Sequence, residues 1–133
     1  MNTKDIKWVK LTVRTDLEFF TEWLKIIKSF SPLTDKEAEF MAILLTKRHE
    51  LSKVILDEKI LTKMLFDKEV KNYIVSELKM KDTQSVENMI YTLKKKNVIF
   101  ENKIINPRYI PKVPKDFTTF AIGFEIIKDG QGQ

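Results

Sequence analysis

A chain of 133 residues with 43% hydrophobic and 32% charged residues has the composition of one domain with a core of its own, not of a disordered or fibrous chain. It has no cysteine and one histidine, which excludes disulfides, thiolate catalysis and the usual Cys/His metal centres. The net charge of +5 rests on 21 lysines and only three arginines (Arg14, Arg48 and Arg108), so it describes a solvated surface before it describes a device for gripping phosphate or guanine in a fork.

From the N-terminus, residues 6–14 place Val9, Leu11 and Val13 in alternation with Lys10, Thr12 and Arg14, the two-residue period of a half-buried strand. Thr15 and Glu18 have the spacing of a capping box. Behind them Leu17, Phe20, Trp23, Leu24, Ile27 and Phe30 form one apolar helical stripe, which Ser31-Pro32 ends. A second capping box, Thr34 with Glu37, opens a helix expected to run to Arg48 with Ala38, Met41, Leu44 and Leu45 inward. From His49 to Phe66 the helical period breaks near Asp57, which predicts a loop and one or two short helices.

Asp67 then caps a helix with Val70, Ile74 and Leu78 on its buried face, and Lys79–Lys81 connect it to the next. Asp82 or Thr83 caps that helix, which buries Val86, Met89, Ile90 and Leu93 and carries Lys94, Lys95 and Lys96 in its last turn, where the helix dipole favours cations. Asn97 sits where the chain leaves the helix in a left-handed conformation. Val98–Phe100 and Lys103–Ile105 flank Glu101-Asn102 as a tight hairpin. Three prolines from Pro107 to Pro114 predict an extended arm over residues 106–114. Phe120, Ile122, Phe124 and Ile126 then alternate along a strand at 117–127, ahead of a flexible DGQGQ tail. That apolar face needs cover, from residues 6–14 of the same chain or from a neighbouring molecule by strand addition.

The order helix, short turn, helix, Asn, hairpin over residues 67–105, with the stretch DTQSVENMIYTLKKKNVIFENKIINP, resembles a winged helix-turn-helix module of the MarR-like type. Asn97 stands where a glycine is common in that family. The resemblance implies an α+β, mainly helical fold: a winged-helix-like core with a β-hairpin wing and flanking N- and C-terminal strands. The chain divides as an N-terminal strand and helix (1–33), the winged-helix core (34–105), a Pro-rich arm and C-terminal strand (106–127) and a tail (128–133), all in one domain. The resemblance also implies that Thr83, Gln84, Ser85, Glu87 and Asn88 face the major groove, Gln84 and Asn88 toward adenine edges, with Lys81, Lys94, Lys95, Lys96, Lys103 and Arg108 on phosphates. Asp82 and Glu87 repel phosphate at the same place.

In its lysine-, isoleucine- and asparagine-rich style, its lack of cysteine and its L-T-D-K-E helix start, the whole chain resembles small proteins of tailed phages, including crAss-like phages.

No catalytic or metal constellation is present. His49 lies beside Arg48 and Glu50 as an ordinary loop residue would, and the three glycines, at 123, 130 and 132, make no phosphate-cradling loop. Trp8, Phe120, Ile122, Phe124 and Ile126 are the candidate protein interface, as large aromatic and aliphatic groups on terminal strands. The expectation is therefore a non-enzymatic assembly protein, a tailed-phage virion component packing against copies of itself or other virion subunits. The alternative is a winged-helix protein binding double-stranded DNA as a regulator or in replication. No cofactor, small-molecule substrate or membrane enters either expectation. The polar start MNTKDIKWVK is unlike a secretory signal, which leaves the virion or the host cytoplasm as the setting.

Overall fold

The computed structural model describes residues 3–112 and 119–128, the latter and residues 3–11 by their backbone alone. Five α-helices make up the body: α1 (Asp16–Lys28), α2 (Asp35–Ser52), α3 (Glu58–Leu65), α4 (Lys68–Leu78) and α5 (Thr83–Lys95). Each N-terminus is capped by the residue its sequence offers. Thr15, Thr34, Asp57, Asp67 and Asp82 accept amide hydrogen bonds from the first turn behind them, and Thr34 and Glu37 close a full capping box.

Helix α2 is the centre of the body. Its residues Phe40–Thr46 are all buried, on every side of the helix, because α1, α3 and α4 pack around it. Phe20 and Leu24 of α1, Leu65 of α3, Ile74 of α4, and Val86, Ile90 and Leu93 of α5 belong to the same continuous core. A helix that is apolar all round is stable only when enclosed in this way. Thr46, the polar member of the run, donates its hydroxyl to the Ala42 carbonyl at 2.7 Å and so carries no unmet hydrogen bond inward.

The expected α+β architecture, a winged-helix core with a β-hairpin wing and flanking strands, is corrected. The body is helical, and the wing reduces to one isolated bridge, Ile99 with Ile105, around a tight turn at 100–104. In that turn the Phe100 amide donates to the Ile104 carbonyl at 2.8 Å, and Lys103 takes a left-handed φ of 66°. The reason lies in Val98 and Ile99. A ribbon alternates its side chains between two faces, but these two neighbours are both fully buried in the core, as is Ile105. The segment is drawn into the body instead of projecting from it, and Pro107, without an amide hydrogen, cannot extend the ladder.

Among the described residues no strand occurs from Val13 to Lys112. At the two ends the backbone forms β1 (Thr3–Thr12) and β2 (Thr119–Lys128), paired antiparallel with each other, Val9 opposite Ile122 and Leu11 opposite Phe120. The tail at 129–133 and the start of the expected strand at 117–118 lie outside the described residues.

Smaller differences follow from packing. Helix α1 stops at Lys28, so Phe30 leaves the apolar stripe and is 64% exposed. Helix α2 continues to Ser52, four residues past the expected end, and places His49 on the helix with its ring edge-on to Phe20, 5.7 Å between centroids. The expected extended arm instead makes a 3-10 turn at Pro107–Tyr109. Its Tyr109 is buried, accepts from the Trp23 indole at its carbonyl (2.9 Å) and shares a hydrogen bond with Ser31 at its hydroxyl (2.6 Å).

One ion pair ties the end of α5 to the start of α2. Lys96 donates to Glu37 Oε1 at 2.7 Å and to the Pro32 carbonyl at 2.9 Å. Burial by itself raises the Glu37 pKa, but the Lys96 ammonium and the amide and hydroxyl of Thr34 outweigh it and hold the carboxyl below its ordinary value. A depressed carboxylate pKa gives stability that is present at neutral pH and lost as pH falls through the folded value. Lys96→Met, which strands the Glu37 carboxylate, is therefore expected to cost about 2 kcal/mol in urea unfolding at neutral pH. The gap to the parent protein should close in acid, where Glu37 is protonated. An equal loss at both pH values would show that the ion pair is not the cause.

Candidate nucleic-acid interface

The helix pair α4–α5 is joined by four residues, 79–82. Lys79 adopts a left-handed conformation (φ 53°, ψ 43°), and the Met80 amide returns to the Val75 carbonyl at 3.0 Å. This is a helix stop that glycine normally supplies, and all three glycines of the chain lie at 123 or beyond. Asp82 then restarts the chain. Its carboxylate accepts from both the amide (3.0 Å) and the hydroxyl (3.3 Å) of Ser85.

With Val86, Ile90 and Leu93 of α5 inward, Gln84, Asn88, Tyr91 and Lys95 form an exposed stripe along its outer side. Gln84 donates to Asn88 Oδ1 at 3.0 Å, and the Lys95 ammonium lies 4.5 Å from the Tyr91 ring centre. Thr83 and Ser85 are half-buried, Ser85 being held by the cap. Tyr91, 60% exposed, is the member that the sequence reading missed. Its place seven residues after Gln84 and three after Asn88 was the available signal.

Glu87 does not share the outer stripe. It turns to α4 and pairs with Lys71. That hydrogen bond, supported by the charges of Lys103 and Lys94, keeps its pKa below the ordinary carboxylate value against the opposing effect of burial. The acid expected to repel phosphate is thus engaged within the protein. Lys96, expected on phosphate, is likewise committed, to Glu37 and Pro32. Lys81 and Lys95 are exposed and Lys94 half-exposed. Lys103 stands in the 100–104 turn with its ammonium 5.9 Å from the Phe66 ring centre, and Arg108 is exposed in the 3-10 turn. The side chains of Trp8, Phe120, Ile122, Phe124 and Ile126 lie outside the described set, although their backbone runs in the β1–β2 pair.

Charge is distributed unevenly along the chain. Residues 79–112 hold eight Lys or Arg and three Asp or Glu, an excess of five, which equals the net charge of the whole protein. The remaining 99 residues hold sixteen of each sign. The chain is therefore neutral apart from the segment containing the inter-helix turn, α5, the 100–104 turn and the 3-10 turn.

Among the described residues no three His, Cys, Asp or Glu side chains converge as a metal site requires. No helix among them is long and apolar enough to cross a membrane. The chain matches no protein-family model, no curated protein and no solved structure.

The strained turn gives a direct test. A non-glycine residue in the left-handed region costs about 1 kcal/mol. Lys79→Gly should therefore raise stability by up to about 1 kcal/mol in chemical denaturation, less the extra unfolded-state entropy of glycine. A loss of stability would mean that the Lys79 side chain, and not its backbone, holds the turn.

Proposed function

We propose that the protein is a non-enzymatic binding protein that contacts double-stranded DNA with α5 and its flanking turns. The observation that carries this reading is the confinement of the entire net charge to residues 79–112. A duplex is a dense line of negative charge, and a protein positive on one segment and neutral elsewhere is oriented by it before any contact forms. The exposed stripe of Gln84, Asn88, Tyr91 and Lys95 supplies hydrogen-bonding amides and a cation on one helix side, with Lys81 at its start and Lys94 at its end. Because seven of the eight basic residues in 79–112 are lysine, affinity comes from phosphate attraction more than from bidentate base reading.

A second reading, a protein-packing role in an assembly such as a tailed-phage virion, draws on a different surface. Val54, Leu56 and Ile60, before and within α3, are 80%, 91% and 53% exposed. Exposed apolar groups, where they form a contiguous patch, mark protein contacts. Strand addition lends this reading less support, since β1 and β2 meet within one chain the pairing it would have supplied.

Anisotropy of a labelled duplex, titrated with protein over a series of salt concentrations, tests the DNA reading. Binding should weaken steeply with salt. Changing Lys81, Lys94, Lys95 and Lys103 together to Gln should reduce the log–log slope by about 3.6, at roughly 0.9 per phosphate released. Absence of binding at low salt, or an unchanged slope in the four-lysine variant, would refute it.

A further inference from the structure

Helix α3 and the 100–104 turn border an open groove of about 720 Å³, within the range of roughly 300–1,000 Å³ in which protein clefts hold ligands. Thr62, Phe66 and Ile104 supply its apolar lining, and Ile104 is left 43% exposed. Lys59, Lys63 and Lys103 also line it. The two acids at its edge are already engaged. Arg48 Nη2 donates to both carboxylate oxygens of Glu58, at 2.9 and 3.4 Å, and Asp67 Oδ1 accepts from the Val70 amide as the cap of α4. Neither Lys59 nor Lys63 has an ion-pair partner among the described residues. The groove thus combines apolar surface in contact with water and two lysines, Lys59 and Lys63, without an ion pair among the described residues, while Lys103 also acts on the nearby Glu87 carboxylate.

We propose that this groove docks an acidic amphipathic segment of a partner protein, its apolar side chains against Phe66 and Ile104 and its carboxylates on Lys59, Lys63 and Lys103. Other occupants satisfy only half of the surface. A second copy presenting the same groove would bring three more lysines against these three. A phosphate backbone would answer the lysines but leave the exposed side chain of Ile104 in water. An acidic, apolar chain covers both, with charge setting the encounter and apolar contact holding the complex. The inference rests on Lys59 and Lys63, which lie outside residues 79–112, and the test substitutes these two because Lys103 is shared with the DNA reading.

The test uses the full chain and a fluorescein-labelled peptide about 15 residues long, with Leu and Phe at three- and four-residue spacing and Glu and Asp elsewhere. One control peptide replaces the acids by Lys, and a second replaces the apolar residues by Ser. The acidic amphipathic peptide alone should bind, and its amide shift changes should fall on residues 58–67 and 100–104. Lys59→Glu with Lys63→Glu should weaken binding about tenfold or more, as charge reversal at a complementary rim does. Ile104→Ser should weaken it too, with thermal unfolding confirming that both variants fold. The proposal is overturned by any of four results: no saturable binding, equal binding of the serine control, shifts elsewhere, or indifference to the double variant. It is also overturned if the double variant abolishes self-association in sedimentation, which would seat a second copy there, or removes duplex DNA binding as completely as peptide binding, which would seat phosphate.

Discussion

Helix α2 has no solvent-facing side from Phe40 to Thr46, and the positions of the other helices follow from that. An enclosed helix must be covered from several directions at once. The chain does this with α1 on one flank and α3 and α4 on others, while α5 closes the core behind α4. The segment after α5 completes the enclosure. Val98, Ile99, Ile105 and Tyr109 are all buried, so a stretch with little regular structure belongs to the same core as the helices.

The same enclosure explains how α5 comes to present its outer side. The Glu37–Lys96 pair anchors the last turn of α5 to the first turn of α2, and the Asp82 cap and left-handed Lys79 set where the helix begins. With both ends fixed and Val86, Ile90 and Leu93 inward, Gln84, Asn88, Tyr91 and Lys95 have only the outside to occupy. Charge follows the same division. Glu87 is drawn to Lys71 and Lys96 to Glu37, which removes one acid and one base from the outer surface and leaves it basic. The groove beside α3 arises alike, because Arg48 and the amide of Val70 occupy its two acids.

Much of the helical order was legible before any coordinates. The capping residues Thr15, Thr34, Asp67 and Asp82 were readable because a cap is a local hydrogen bond between residues three apart, and the break near Asp57 was readable as a loss of period. Helix α2 was read as one-sided, through Ala38, Met41, Leu44 and Leu45, although the run Phe40–Leu45 is apolar without interruption. That run marks a central helix as well as a strand or a longer stripe, and periodicity alone does not separate these. Val98-Ile99-Phe100 has strand-like residue types, which predicts a hairpin, while its two consecutive buried positions depend on what the body needs at that point.

The sequence by itself determined where four of the helices start, through Thr15, Thr34, Asp67 and Asp82, and that the chain carries no cysteine chemistry and one histidine, because these depend on residue identity and on neighbours within one helical turn. Only the tertiary structure decided that Lys96 and Glu87 are spent on internal ion pairs, that the wing collapses to a single bridge, and that α3 and the 100–104 turn border an open groove. Those outcomes join residues separated by tens of positions. They depend on which segments the enclosure of α2 brings together, and no local pattern encodes that.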